Sequence, residues 1–571
     1  MSKLIYICAR RGKSLPFTGN DAEHILSRLT PDNIIPRQPM IIEDQGILIG
    51  ISNPVPSLPV EGTSVCLGAF LDDAENWWQP GTRLPDGSYA LFRADEETLE
   101  LATDIVASRT IWYVQRDDFF IASTSQRAIV CFLQSYESNS APIPWMLSSG
   151  TLGPGFSWDR RIQCLGGDAR LLLNRSSWKM EITKNPFVYA PLQLPPQEHE
   201  DHLLAAMEQT FEHIDAPAQN WLLPLSGGYD SRGILFLLKN RQGLKTMTWG
   251  LSSALDNRDS DAWVAQELAR RMGVEHRYLE TDLADESIEQ IFNRFLCAGE
   301  GRVDHVAGYM DGFAIWKGLH EEGYNGILRG DEAFGCKAVT NAREVYRNMS
   351  LTTLWDYRHD GRIEDLGSDF GNQKRPTGLG KRNMESLEQW RDRVNAQFEI
   401  PFIFAALSDL KLSYVEIIQP LLSRRIVEQV RTIPDALRTD KTLYRRIIQN
   451  MEPKMKFAKD RAIGSYSGVL REKRVIDFLY GKLKGLTNQP GYMGPLSSLC
   501  LNQLENEHKS YNRLRRSRFY KRVYRFAHKF TGRENDLLPA IDPFNFAFRV
   551  YLISEMKNIL DDDGSCLEQS P

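Results

Sequence analysis

The stretch PLSGGYDSR, residues 224 to 232, sets two adjacent glycines behind a serine and just ahead of an aspartate. Its flanks decide what it is. LLPLS at 222 to 226 reads as a buried strand and SRGILFLLKN at 231 to 240 as a helix, so the glycines turn the chain between them. KTMTWG at 245 to 250, DAWVAQELARRMG at 261 to 273 and EHRYLE at 275 to 280 continue as strand, helix and strand. This order predicts a parallel sheet covered on both faces. A glycine turn there lets backbone approach a ligand, while the helix that follows points free amides at it, and phosphate suits both. Neither GxxxxGK[ST] nor GxGxxG is present. Asp230 would stand beside phosphates, where a carboxylate is useful only through a cation such as Mg²⁺. A plain turn with a helix cap explains the same residues equally well.

A second stretch tips the balance. YNGILRGDEAFGCK, residues 324 to 337, delivers Asp331 and Glu332 after another short strand and glycine turn. Carboxylates arriving at one end of a parallel sheet can bracket Mg²⁺ on a nucleotide pyrophosphate.

At 571 residues the chain is too long for one core and predicts two to four units. Hydrophobic residues make up 42% and charged residues 25%, with a net charge of -5, so no global field recruits nucleic acid or a membrane surface. No apolar run reaches the length of a membrane span and the start is too short for a secretory signal, which makes the cytoplasm the expected location. The eight cysteines are widely spaced, with no CxxC pair, and read as ordinary thiols.

Up to about residue 195, short β-rich stretches alternate with turns. LIYICA at 4 to 9, GILIGIS at 46 to 52, SVCLGAFL at 64 to 71, YALFRA at 89 to 94, LELATDIV at 99 to 106, TIWYVQ at 110 to 115, FFIAST at 119 to 124 and ARLLLN at 169 to 174 predict two packed sheets. The proline-rich PLQLPPQEHE, residues 191 to 200, breaks the pattern. The expected division is a first domain at 1–195, a second at 200–550 whose later part is helical, and a short tail at 551–571.

The motif SGGYDS, the segment RGDEAFG at 329 to 335 and YVEIIQPLLSRRIVEQV at 414 to 430 together resemble the adenylating domain of the asparagine synthetase family, which includes β-lactam synthetase and the lasso peptide macrolactam synthetases. The first motif matches in full, whereas Arg329 and Gly330 depart from the usual residues of the second. The first domain, through residues 86 to 129 and 150 to 174, is similar to the family's glutaminase domain. The resemblance implies an α+β N-terminal glutaminase-like (Ntn-type) sandwich followed by an α/β adenine nucleotide alpha-hydrolase-like (PP-loop) synthetase domain. It implies ATP and Mg²⁺ as cofactors. Ser226, Gly227, Gly228 and Ser231 would cradle phosphates, with Gly330 in the same nucleotide set, and Asp230 and Asp331 would hold the metal. Leu225 and the strand from Met247 to Gly250 would line the nucleotide. Glu416 matches a glutamate that orients or deprotonates the nucleophile, and a buried ion-pair partner is the competing reading. Lys459 and Arg461, in KTLYRRIIQNMEPKMKFAKDR at 441 to 461, match a late loop carrying a catalytic lysine, with Lys454 and Lys456 as rivals and a solvated basic surface as the alternative.

A working glutaminase of this family needs an N-terminal cysteine, but position 2 is Ser2 and the nearest thiol, Cys8, falls inside a strand. The attacking amine must then come with the substrate or as free ammonia. Leu328 stands where the relatives carry a glutamate or tyrosine, and the spelling of the motifs is most like the lasso peptide cyclases. That implies adenylation of an Asp or Glu side chain of a core peptide, attack by its N-terminus, and a leader peptidase and leader-binding protein as partners. Another glutamine-independent amide synthetase, or an inactive nucleotide- or peptide-binding scaffold, are the alternatives. The basic, aromatic run KSYNRLRRSRFYKRVYRFAHK at 509 to 529 reads as a helix with a solvated charged face, with RNA or an acidic peptide as lesser readings.

Overall fold

The computed structural model describes residues 3–238, 242–281, 283–357, 373–451, 453–463, 466–514, 538 and 540–567. Ser2, and the basic run from residue 515 onward, lie outside the described residues.

Strand β1 (Leu4–Ala9) is buried along its whole length because each face meets a different partner. Leu4, Tyr6 and Cys8 enter one core, and Ile5 and Ile7 enter another, with the two-residue period of a strand between layers. Eleven further strands follow in this half: β2 (Met40–Asp44), β3 (Ile47–Ile51), β4 (Val60–Glu61), β5 (Ser64–Phe70), β6 (Gly87–Ala94), β7 (Thr98–Thr103), β8 (Ile111–Gln115), β9 (Phe119–Ser123), β10 (Gln163–Leu165), β11 (Ala169–Asn174) and β12 (Met180–Lys184). They form two six-stranded sheets, β10-β8-β9-β1-β3-β2 and β12-β11-β7-β6-β5-β4, paired antiparallel throughout. The sheets face one another, with Tyr6 stacked on Phe92 at 5.8 Å between ring centroids. The helices Gly19–Leu29 and Gln126–Leu133 cover the outer face of the first sheet through Ala22, Ile25, Leu26 and Ile129. Each strand expected from the sequence forms. Cys8 lies in the core between the sheets, and burial pushes its thiol up to about 11.

The second sheet system is wholly parallel. Its strands are β13 (Trp221–Pro224), β14 (Lys245–Gly250), β15 (Glu275–Glu280), β16 (Gly326–Leu328) and β17 (Glu416–Ile418), in the order β15-β14-β13-β16-β17. Leu223 faces Ile234, Leu235, Ala265 and Leu268 on one side, while Leu222, Ile327 and Ile417 join Phe292 and Phe295 on the other. Both faces are buried, as the strand–helix order requires. The strand order reverses between β13 and β16, and in such sheets ligands bind outside the carboxyl ends at that point.

The last helix corrects the expected tail at 551–571. Pro543–Asp563 is one continuous helix, with Tyr551, Leu552, Ile553, Met556 and Leu560 all buried. It packs on both halves of the chain, and its final residue accounts for part of the bond between them. Arg127, from the first half, donates to Asp563 at 2.7 and 2.9 Å. Lys3 pairs with Glu300 at 3.4 Å, and Arg302 pairs with Asp409 while donating to Thr110 at 2.7 Å. All these side chains are buried. Among the described residues no helix is long and apolar enough to cross a membrane.

Removing one partner of a buried ion pair strands the other. Asp563→Ala is expected to lose about 3–5 kcal/mol of stability, read by urea denaturation. Because the pair joins the two halves, one cooperative transition should move rather than a separate phase from the C-terminal helices.

Candidate active site

The two glycine turns meet at the carboxyl ends of β13 and β16. A side chain at Gly330 would come within 3.0 Å of the Asp230 Cβ, so glycine is what allows the turns to touch. Ser226 and Ser231 close the first turn on itself, with the Ser226 amide donating to Ser231 Oγ at 2.9 Å and the Gly228 amide donating to Ser226 Oγ at 3.2 Å. Asp230 opens the helix Asp230–Leu237, its carboxylate at the positive end of the helix dipole.

The cation that meets Asp230 is Lys441, which the sequence reading passed over. Its ammonium donates to both Asp230 oxygens at 3.0 and 2.9 Å and pairs with Glu332 at 2.6 Å. Asp440 and Lys441 both carry left-handed backbone (φ 56° each), a strained conformation held in place by the surrounding contacts. Phe334 stacks on Tyr444 at 3.9 Å and fixes the second turn to the helix Thr442–Asn450 that follows the lysine. Burial pushes Glu332 up to about 7 and raises Asp230, against the opposing pull of Lys441. Lys441 itself is raised by its two carboxylates, against burial.

Asp331 takes Arg329 on one oxygen at 2.9 Å, while its other oxygen is buried with no hydrogen-bond partner. Lys441 and Arg329 pair directly with these carboxylates, Arg445 and Lys411 act on Asp230 and Asp331 from further off, and the orphaned carboxylate oxygen of Asp331 beside Asp230 fits a divalent cation. No group of three His, Cys, Asp or Glu among the described residues forms a ready-made cage. The fit is therefore of the Mg²⁺ kind, in which one or two carboxylates hold the ion and substrate phosphate and water complete it.

Beside the first turn opens a cavity of about 270 Å³, lined by Leu225, Ser226, Thr248, Trp249, Asp261, Arg461 and Ala462 among others. Asp261 accepts from the Gly227 amide at 3.0 Å. Of the expected nucleotide-lining residues, Leu225 is there. Met247 is not, because its carbonyl accepts from the Leu225 amide at 2.7 Å and its side chain is buried in the core under the sheet. Gly250 meets protein instead: a side chain there would come within 2.5 Å of the Ala462 carbonyl oxygen. Within the same expected strand, Thr248 and Trp249 do line the cavity.

The late loop reaches the site, but Lys459 does not. Lys459 is 76% exposed and its ammonium faces Asp259 at 3.5 Å, whereas Arg461, two residues on, lines the cavity. Glu416 is also displaced from the chemistry. It begins β17, opposite Gly326, at the end of the sheet away from the turns. It is 1% exposed and paired with Arg109 of the first half. The buried ion-pair reading is the one the structure supports for Glu416, since a carboxylate held by a guanidinium is no base.

The Asn_synthase family, asparagine synthase, matches residues 221–395. No curated protein matches the chain. Among the solved structures that it resembles are two at 9% identity. One is a glutamine phosphoribosylpyrophosphate amidotransferase from B. subtilis complexed with ADP and GMP, with a TM-score of 0.20 over 48% of this chain and 65% of that one, just under two thirds of its length. The other is described as the allosteric regulatory enzyme of purine biosynthesis, with a TM-score of 0.21 over 51% and 69%. Similarity at this level carries no argument about fold or activity.

Lys441→Met tests the charge balance. A carboxyl whose pKa rises on folding binds its proton more tightly folded than unfolded, so it weakens the fold as pH climbs past its ordinary range, with the full penalty above about 7 for Glu332. Without Lys441 that penalty grows. The variant should lose about 3–5 kcal/mol at pH 8, where the carboxylates stand uncompensated, and less at pH 6, where Glu332 keeps a proton. Chemical denaturation at the two pH values measures the difference.

Proposed function

We propose that the protein is an ATP-dependent, glutamine-independent amide synthetase, which activates a carboxylate by adenylation and joins it to an amine with release of AMP and pyrophosphate. The observation that carries this reading is the meeting of Asp230, Asp331, Glu332 and Lys441 at the carboxyl ends of β13 and β16, directly beside a glycine turn and a cavity lined by Arg461. The asparagine synthase match over residues 221–395 supports the same chemistry.

In this reading Ser226, Gly228 and Ser231 wrap the phosphates, and the cavity beside Leu225 and Trp249 takes the nucleoside. Mg²⁺, held by Asp230 and Asp331, would neutralise phosphate charge when bound. Lys441 stabilises negative charge on the leaving pyrophosphate, and Arg461 does so from the loop. Glu332 keeps Lys441 oriented. The amine reaches the activated carboxyl by proximity if both belong to one substrate, and closure of the loop keeps water from competing.

Glutamine independence rests on two features. Cys8 is buried in the sandwich core with its thiol pushed up, so it supplies no nucleophile. The face between the halves is occupied by Arg109–Glu416, Lys3–Glu300 and Arg302–Asp409, which supports an amine that arrives with the substrate. The narrower reading is macrolactam formation on a core peptide from a lasso-type precursor, with a leader peptidase and a leader-binding protein as partners in a cytoplasmic setting. It rests on the motif spellings SGGYDSR and RGDEAFG and on Leu328.

Leader-free peptides with a free N-terminus and an internal Asp or Glu, incubated with the protein, its processing partners, ATP and Mg²⁺, should lose one water by intact mass with matching pyrophosphate. Pyrophosphate without the mass loss would support the broader synthetase and refute the peptide assignment. Neither signal would refute the peptide assignment and favour a small-molecule synthetase or the scaffold. Asp230→Asn and Asp331→Asn should each lower pyrophosphate release by about 10²-fold or more, with melting temperature retained.

A further inference from the structure

Tyr229 and Arg232 occupy the turn SGGYDSR without touching the carboxylates. Both reach the late loop. Tyr229 stacks on Phe457 with ring centroids 3.9 Å apart and planes 16° from parallel. The Arg232 guanidinium lies over the same Phe457 ring at 3.8 Å, and Arg445 lies over Tyr229 at 4.9 Å. The result is a column alternating cation and aromatic ring, Arg445–Tyr229–Phe457–Arg232. Such contacts contribute about 0.5–2 kcal/mol each.

Arg232 does more than stack. It donates to the Met455 carbonyl at 2.8 Å and to the Lys456 carbonyl at 2.8 Å, with a longer contact to the Gly227 carbonyl at 3.5 Å. The Ala458 amide donates to that same Gly227 carbonyl at 3.0 Å. A side chain at Gly227 would come within 2.4 Å of the Ala458 Cβ, so loop and turn are in direct contact. Tyr229 is in turn held by Gln449, which donates to its hydroxyl at 2.8 Å.

Arg232 is buried, and among the described residues no carboxylate pairs with it. A buried cation held by carbonyls and one aromatic face, one residue after Ser231 in the phosphate turn, is stabilised further by an anion nearby. The anion that the turn is shaped for is the phosphate chain.

We propose that Tyr229 and Arg232 are positioning residues, which clamp the loop at 455–458 onto the glycine turn so that Arg461 is presented over bound phosphates and released with them. This rests on the adenylating reading of the turn. The clamp works in one direction through geometry, since Arg232 ties the loop's carbonyls to the turn's own backbone. It works in the other through charge, since phosphate in the turn offsets the uncompensated guanidinium and so tightens the clamp. Lys459 is free to stay at the surface because the loop's contribution to the cavity is Arg461.

The test uses the full-length protein and the variants Phe457→Leu, Arg232→Met and Arg232→Lys. Hydrogen–deuterium exchange is followed in peptides covering 453–463, with β13 as the internal control, first without ligand and then with Mg²⁺ and inorganic pyrophosphate as the probe. In the parent protein pyrophosphate should slow exchange in 453–463. In Phe457→Leu and Arg232→Met the loop should exchange about tenfold faster with β13 unchanged, and pyrophosphate should no longer slow it. Arg232→Lys keeps the charge but loses the planar, two-carbonyl hold, so it should restore the pyrophosphate response and not the ligand-free protection.

Steady-state kinetics of pyrophosphate release supply the second readout, with kcat falling about tenfold or more and KM for ATP changing less than threefold. Unchanged loop exchange in both disruptive variants would overturn the clamp. So would a loss of β13 protection in step with the loop, which would make the residues merely structural. A parent protein that shows ligand-free protection lost in the variants, yet no response to pyrophosphate or ATP, would retain the structural hold and remove both the charge coupling and the adenylating reading.

Discussion

The reversal of strand order between β13 and β16 is the constraint on which the site depends. Where adjacent parallel strands send their connections to opposite faces, a crevice opens at their carboxyl ends that no side chain of the sheet itself fills. Both carboxylate-bearing turns exit into that crevice. Everything that follows is a response to placing Asp230, Asp331 and Glu332 in one half-buried space. Their mutual repulsion and desolvation call for cations, and the chain supplies Lys441 from a backbone held in a left-handed conformation and Arg329 from the strand end. The glycines follow from the same crowding. Gly330 lets the turns touch, and Gly227 and Gly250 let the late loop lie against them. Glycine at these positions therefore reports close approach by protein as well as room for a ligand.

The parts of this arrangement that were legible in the sequence are those fixed by near neighbours. The strand–turn–helix around SGGYDSR is encoded by a buried apolar run, two glycines and a second apolar run within about twenty residues. The strands of the first half announce themselves as short β-rich runs bounded by turn residues, and β1 is a continuous apolar run because each of its faces enters a core. Lys441 was not legible because it lies more than two hundred residues from Asp230 and is one of several lysines in a basic stretch. Only the fold selects among them. Glu416 carried the right motif, yet it starts β17 at the end of the sheet away from the turns, and its pairing with Arg109 depends on how the two halves of the chain dock.

The C-terminal helix shows a different limit. Helices are read from a polar stripe opposite an apolar one, and the first part of Pro543–Asp563, from Phe546 to Ser554, is buried on every side because both halves enclose it. The run FNFAFRVYL alternates locally as a strand would. Burial on every side over the first turns, through Ser554, erased the signal at the start of the helix, and only its last turns carry an exposed face at Lys557, Asn558, Asp561 and Asp562; the tail expected there is instead one of the members that hold the molecule together.

The ion pairs between the halves have a consequence for the history of such a chain. Arg109, Lys3 and Arg127 each leave a buried charge behind if the first half is removed, at Glu416, Glu300 and Asp563 respectively. Loss of the first half by deletion therefore demands simultaneous replacement of several interior acids on the other side. The seam acts as a ratchet. With interior charges shared across it, the first half is held in the scaffold whatever chemistry it performs.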